Sequence, residues 1–283
     1  TAVVTDKQVY NEFSSGTPDA TAYRWIMKML YDRATDDSTI NKPRFLLLVG
    51  DGTFDNRKLL SSSGNNLLLT YQARNSVSEV EAYASDDYFA YLDDADGSSD
   101  VANTLKISVG RLPVNTVDEA EKLVNKLIKF IHDDSYGKWK NQLLFLGDDG
   151  DDDMHIRAID EAAQYVQNNH ANFQVNKIYL DAYPQVTNAT GESYPMAKTK
   201  FDNLLQSGVL FFDYCGHASA NSITNESILL AADAEQMTNE NLGFWMLATC
   251  SFARFDEEKS SAAERALINP AGGSIGILDR KSV

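Results

Sequence analysis

Basic residues are in short supply in this chain: 25 Lys and Arg face 41 Asp and Glu among 283 residues, a formal net charge of −16. Affinity for a phosphate backbone comes largely from Lys and Arg that displace counterions, so nucleic acid is a poor partner for this surface. Long apolar runs are also missing. None approaches the roughly 20 residues that cross a bilayer, so no transmembrane segment is expected. Residues Thr1 to Tyr10 have neither the basic start nor the apolar centre of a signal peptide. Two cysteines, Cys215 and Cys250, are too few for a disulfide framework, which leaves each as core filler, half of a single bridge, or a nucleophile. What the chain does have is an ordinary hydrophobic share of 43% and enough length for one large α/β domain or two smaller ones, which excludes disorder as the default.

The apolar pattern alternates between two periods. From Thr17, with Pro18 at the first helical position, Ala22, Trp25, Ile26, Met29 and Leu30 predict an amphipathic helix. Residues 44–52 (RFLLLVGDG) then form a continuous apolar run closed by glycines, which suits a strand buried on both faces. Strand 104–113 is followed by a helix with a Thr116–Glu119 capping box and apolar Val117, Ala120, Val124, Leu127, Ile128 and Ile131. Further strands are expected at 142–150, 177–180, 208–216, 243–250 and 272–278, with helices at about 154–167, 197–206, 234–237 and 261–268. Such alternation predicts an α/β fold with helices on both faces of a mostly parallel sheet. The seam at 135–140 suggests two α/β subdomains side by side, 1–135 and 136–283.

Ligands of open α/β sheets sit beyond the carboxyl ends of the strands. Those positions hold Asp51, the acidic run Asp148 to Asp153, Cys215 with Gly216 and His217, and Cys250. A cysteine nucleophile needs a thiolate or a base to make one, and an imidazole supplies both proton transfer and electrostatic support. If the strands ending at His217 and Cys250 are neighbours, their ends lie near the roughly 5 Å strand spacing and a dyad is within reach. The amides of Ala218 and Cys250 are then candidates for an oxyanion hole. Against this stand core packing for a buried cysteine and metal ligation by both thiols with His217, although close-paired zinc spacing is missing. Cys215, two residues before His217, is expected to pack beside the site. The run 93–100 reads as a polar turn with Asp94, Asp96, Gly97 and Asp100, lacking the downstream glutamate of an EF-hand. The second acidic run, with Asp148, Asp149 and Asp151, could hold Ca²⁺, line a cleft, or be solvated charge before a helix. Glu264 is expected in a buried structural contact.

The stretches VLFFDYCGHAS (209–219) and FWMLATCSFARFD (244–256) resemble the gingipain family of cysteine peptidases, of the same clan as caspases and legumains. LLLVGDGTFDNR (46–57), ASDDYFAYLDD (84–94), ISVGRLPVNTVDEAE (107–121) and SSAAERALINPAGGSIGIL (260–278) look like that family, in its order. Within it, the chain is more similar to the cell-surface sortases of the type IX secretion system of Bacteroidetes than to the gingipains themselves. The resemblance implies a caspase-like fold whose second subdomain carries the dyad, with His217 as general base and acid and Cys250 as nucleophile. It implies protein or peptide substrates, a sortase that processes C-terminal secretion signals, and other type IX surface components as partners. No cofactor is required, and structural Ca²⁺ is implied. By the same resemblance Ser85 and Asp86 would hold a basic residue of the substrate, with a helix cap or strand-end turn as the competing reading. Ala218 departs from the family, which has glycine after the histidine, and this puts oxyanion geometry in question. An excised domain of a longer exported protein, at the cell surface or outer membrane, is the expected location. A non-catalytic binding or adhesion module on the same scaffold is the rival reading.

Overall fold

The structure is a computed structural model that describes the chain except residues 38, 40, 61–65, 73–82, 97–103, 133–135, 190, 282 and 283. In chain order it contains α1 (Asp6–Phe13), α2 (Thr21–Asp36), β1 (Phe45–Val49), β2 (Ser108–Leu112), α3 (Val117–His132), β3 (Gln142–Gly147), α4 (Met154–Asn169), β4 (Gln174–Tyr179), β5 (Val186–Asn188), β6 (Gly191–Ser193), α5 (Pro195–Ser207), β7 (Phe211–Cys215), β8 (Ala218–Ser219), β9 (Ser222–Ile223), β10 (Leu229–Leu230), α6 (Ala231–Gln236), β11 (Gly243–Thr249), α7 (Ala262–Ile268) and β12 (Ser274–Lys281). Two compact units emerge, Thr1–Ala120 with Phe255–Lys259, and Glu121–Arg254 with Ser260–Val283. The sequence seam at 135/136 falls within the second unit.

In the first unit, β1 and β2 pair in parallel. Its core joins Val9 and Tyr10 of α1 to Ala22 and Tyr23 of α2, Leu48, Tyr88 and Phe89. Helix α1 was not among the sequence expectations. A reciprocal cap starts it: the Gln8 N–H donates to Thr5 Oγ1 and the Thr5 N–H to Gln8 Oε1. Helix α2 begins at Thr21 rather than beside Thr17, and Asp19 just before it accepts the Thr21 N–H. Its inward stripe also differs from the expected one. Ala22, Tyr23 and Met27 are buried while Trp25 and Leu30 are exposed, since Arg24 joins the buried side by donating to the carbonyls of Tyr91, Asp93 and Asp96. Strand β1 is likewise not buried on both faces: Leu48 is buried, but Phe45, Leu47 and Val49 are exposed.

Five parallel strands in the order β12-β11-β7-β3-β4 form the centre of the second unit. Register decides which residues meet on each face. Leu144, Phe212 and Trp245 align on one face, as do Leu146, Tyr214 and Leu247. These six residues are all buried and pack with Phe201 of α5, Ala234 of α6 and Ala262 and Ala266 of α7. Side chains of this size contribute about 1.5–3 kcal/mol each on burial, so this face anchors the unit. On the opposite face Leu143 and Phe145 pack with Ile159 and Ala163 of α4. Helices thus cover both faces, as the alternation predicted.

Helix α3 starts with the expected Thr116 cap, the Glu119 N–H donating to Thr116 Oγ1. Its expected apolar stripe is turned outward at Val117, Val124, Ile128 and Ile131, while Leu123 and Lys126 are buried. The reason is chemical. The Lys126 ammonium donates to the carbonyls of Ala266, Leu267 and Gly272, using all three of its protons at and just beyond the C-terminal turn of α7.

Asp213 lies on the α4 face of the sheet, in register with Phe145 and Met246, beside a cavity of about 540 Å³ that Leu143, Phe145 and Phe211 also line. Burial pushes its carboxyl from 3.8 up to about 6. Between those values the folded chain keeps a proton that the unfolded chain has released, so Asp213 makes stability fall as pH rises through that window. Asp213→Asn should therefore gain about 1–3 kcal/mol at pH 7 and nothing near pH 3, as measured by urea denaturation at both pH values.

Candidate active site

Strands β7 and β11 are neighbours, with Cys215 opposite Ala248, and the Gly216 N–H continues the ladder by donating to Ala248 O at 3.3 Å. His217 and Cys250 each lie two residues beyond that pair. The two chain ends therefore leave the same edge of the sheet from adjacent strands, which are about 4.8 Å apart. Cys250 is exposed. Asp148 leaves the same edge from β3, on the other side of β7, and is buried at 1% exposure.

Asp148 fixes the histidine twice. Its Oδ2 accepts the His217 backbone N–H at 2.8 Å and the imidazole Nδ1 at 3.0 Å. A carboxylate can only accept, so the Nδ1 facing Asp148 carries a proton. The His217 carbonyl is held as firmly, accepting from the Tyr214 hydroxyl at 2.5 Å and the Thr224 N–H at 2.9 Å. Gly216 makes this possible. A side chain there would run into the Asp148 Cβ and the Tyr214 hydroxyl, so only glycine lets the two groups close around the histidine. Ala218, by contrast, sits in β8 opposite Ile223 with a negative φ, a conformation that needs no glycine.

Beyond Gly150 the loop runs through Asp151, Asp152 and Asp153, all at positive φ. It brings Asp151 Oδ2 to 3.1 Å from His217 Nε2 and 3.3 Å from His155 Nε2. His155 is a residue that sequence reasoning passed over, because it lies in the first turn of α4 and not at a strand end. Its ring stands edge-on to that of His217, centroids 5.0 Å apart, and its Nδ1 is 3.6 Å from the Cys215 sulfur. Cys215 is half-buried and packs on the α4 face. Burial first, then Asp213 and Asp148, push its thiol up, which suppresses the thiolate that a nucleophile needs.

The acidic run is divided between two groups. Asp151 belongs with His155 and His217, whereas Asp148 and Asp149 converge with Glu226, their ligand atoms all within 4.8 Å. Asp149 also accepts the Tyr194 hydroxyl at 2.5 Å. Asp148 Oδ1 and Glu226 Oε2 are buried with no hydrogen-bond partner, and burial pushes the carboxyls of both residues up, with the neighbouring acids adding to it.

Other expected site residues have structural contacts. Asp86 is held in two places by Arg111, Nε to Oδ2 at 2.7 Å and Nη2 to Oδ1 at 2.8 Å. Ser85 precedes that turn, its N–H donating to Tyr71 O. Asp51 is buried and accepts from Asn115 and Gly52, with burial raising its carboxyl to about 6. Asp94 pairs with Lys28 at 2.8 Å, and Asp96 accepts the Asp93 N–H, as a polar turn would. Gly97 and Asp100 lie outside the described residues. Glu264 closes a capping box with Ser261 at the start of α7.

One edge of a parallel sheet thus presents a histidine held by an acid and, from the neighbouring strand end, a cysteine. The chain belongs to peptidase family C25, whose model matches residues 1–280. Among solved structures it is similar to one described as a protease (TM-score 0.67, 15% identity, 98% of this chain and 57% of that one). It is similar also to the Arg-specific cysteine proteinase gingipain R (0.63, 16%, 94% and 54%). A third is the complex of the pro- and mature domains of RgpB from Porphyromonas gingivalis (0.61, 17%, 95% and 55%). The chain thus spans little more than half the length of the structures it matches. No curated protein matches it by sequence. No described helix is long and apolar enough to cross a membrane.

Two substitutions test this geometry. Asp148→Ala removes the acceptor of both His217 N–H groups and frees the ring and its tautomer, so a reaction that depends on His217 should slow by about 10²–10⁴-fold, read as kcat/KM. Because burial raises the Asp148 carboxyl, the acid limb of the wild-type pH profile should begin above the ordinary aspartate range and be altered in this variant. Gly216→Ala should displace Asp148 from His217, seen as a changed imidazole Nδ1 shift by NMR, with the fold kept.

Proposed function

We propose that the chain is the catalytic domain of a cysteine endopeptidase with Cys250 as nucleophile, His217 as general base and acid, and Asp148 as the residue that positions His217. The observation that carries this reading is the double hold of one Asp148 oxygen on His217, at a sheet edge that also presents Cys250. In the reaction, the Cys250 thiol gives its proton to His217 Nε2 and the sulfur attacks a peptide carbonyl. The backbone amides of Ala218 and Cys250 receive the oxyanion. As the C–N bond breaks, the imidazolium returns its proton to the leaving amine. Water, deprotonated by His217, then splits the thioester and restores the thiol. An amine in place of water makes the same acyl-enzyme a transpeptidase, the chemistry required by the finer reading that the sequence resemblance suggests: an exported, surface-located sortase that processes C-terminal signals of type IX cargo and works among other components of that system. The pairing of Asp86 with Arg111 favours a structural role for Asp86 over substrate binding.

A peptide acyloxymethyl ketone separates this reading from a binding module and from a Cys215 nucleophile. Labelling should fall on Cys250 and disappear in His217→Ala. Equal labelling of Cys215 and Cys250, independent of His217, would overturn the dyad. Cys250→Ala should lower peptide hydrolysis by about 10⁴-fold or more, and glycylglycine added to the wild type should divert product from acid to amide if transfer occurs.

The carboxylates of Asp148, Asp149 and Glu226 fit a structural Ca²⁺, for which oxygen ligands and two orphaned buried oxygens are suited. Added Ca²⁺ should raise the melting temperature of the wild type but not that of Glu226→Gln, by differential scanning calorimetry.

A further inference from the structure

The second group at the sheet edge is chemically unlike the first. Asp151, His155 and His217 each offer a ligand atom within 4.8 Å of the others, and Asp151 Oδ2 lies close to both Nε2 atoms. With both rings neutral and their protons on Nδ1, three lone pairs meet, an arrangement that is repulsive unless a proton or a metal ion lies between them. Nitrogen ligands with one carboxylate oxygen suit Zn²⁺ and related transition metals better than Ca²⁺. The spacing fits as well. Asp151 Oδ2 lies 3.1 and 3.3 Å from the two Nε2 atoms, close to the roughly 3.3 Å edge of a tetrahedron whose metal bonds are about 2.0–2.1 Å long.

The far side of the His217 ring is also arranged for this. Metal-binding imidazoles almost always donate their other N–H to a fixed acceptor, which sets the tautomer and aims the ligand nitrogen. His217 Nδ1 has Asp148 Oδ2 at 3.0 Å, whereas His155 Nδ1 has only the Cys215 sulfur at 3.6 Å, a contact in which either atom can donate. His155 Nε2 is buried and makes no hydrogen bond. On the open side, Asp151 and His217 keep 51% and 42% of their side-chain surface exposed, so an ion has a way in.

We propose that Asp151, His155 and His217 form a regulatory site for a tetrahedral transition-metal cation, Zn²⁺ by its ligands, and that occupancy blocks the chain by engaging the nitrogen through which His217 would move protons. The inhibitory half of this statement rests on the peptidase reading; the metal site itself does not. Three protein ligands leave a fourth position for water or a substrate group, so the ion holds the histidine while the entrance stays open.

Co²⁺ is the probe, since its visible d–d absorption reports tetrahedral coordination. The metal-free chain should take up one equivalent with an intense tetrahedral band that Zn²⁺ abolishes. Asp151→Asn, a change in an exposed loop, and His155→Ala should each weaken Co²⁺ binding by at least about 10-fold, a loss that removal of the acceptors behind the rings already causes in such sites. Glu226→Gln should leave the band intact, which separates this site from the carboxylate group. In peptide hydrolysis, His155→Ala should need at least about 10-fold more Zn²⁺ for half inhibition, measured against its own metal-free rate. A weak octahedral spectrum, or a band unchanged in both His155→Ala and Asp151→Asn, overturns the site. Hydrolysis indifferent to Zn²⁺ overturns the regulation, whereas a tetrahedral band without any hydrolysis leaves the site standing and counts against the peptidase.

Discussion

A single buried carboxylate oxygen organises the edge of the second sheet. Asp148 Oδ2 accepts both the main-chain and the ring N–H of His217, so the backbone path after β7 and the tautomer of the imidazole are set by one atom. The surrounding contacts follow from that demand. Gly216 must lack a side chain, Tyr214 must reach over to the His217 carbonyl, and the ladder between β3, β7 and β11 must bring three strand ends to one level. Burying the acid has an electrostatic cost of several kcal/mol if it is left unpaired. The hydrophobic face formed by Phe212, Tyr214, Trp245 and their helices supplies the stability that offsets it.

The architecture was legible in the sequence because a buried parallel strand reads as an unbroken apolar run, as in LLFLG (143–147). Where faces were misjudged, a polar side chain had found a buried use that hydropathy does not register: Arg24 donating to three carbonyls, and Lys126 joining the inward side of α3 at the end of α7. His217 and Cys250 could be singled out because strand ends are where parallel sheets bind ligands. Asp148 was visible only as one of a run of acids, since nothing local tells which carboxylate will fold under a histidine 69 residues further along. His155 was invisible for a related reason. Its partners, Cys215 and His217, come from another strand's end, and only the packing of α4 on the sheet brings them together.

The acidity of the chain has two physical characters. Much of it is solvated or locally paired, as with Asp94 and Lys28 or Asp160 and Lys177. The part gathered beyond β3 is different, because carboxylates approach one another and two imidazoles. Converging like charges raise one another's free energy, and that stored repulsion is what a bound cation releases.

The three successive left-handed residues at 151–153 have a bearing on how this edge can vary. Asp, Asn and Gly are the residues that adopt such φ values at little cost, whereas a β-branched side chain would be driven out of that region and carry the loop with it. The loop's shape therefore confines its alphabet to residues that differ chiefly in charge. Exchanging Asp for Asn there leaves the chain path intact while removing one negative charge at a time beside the paired imidazoles. Shape is held constant and electrostatic potential is the free variable, so the environment of His217 can be retuned in single steps without rebuilding the fold beneath it.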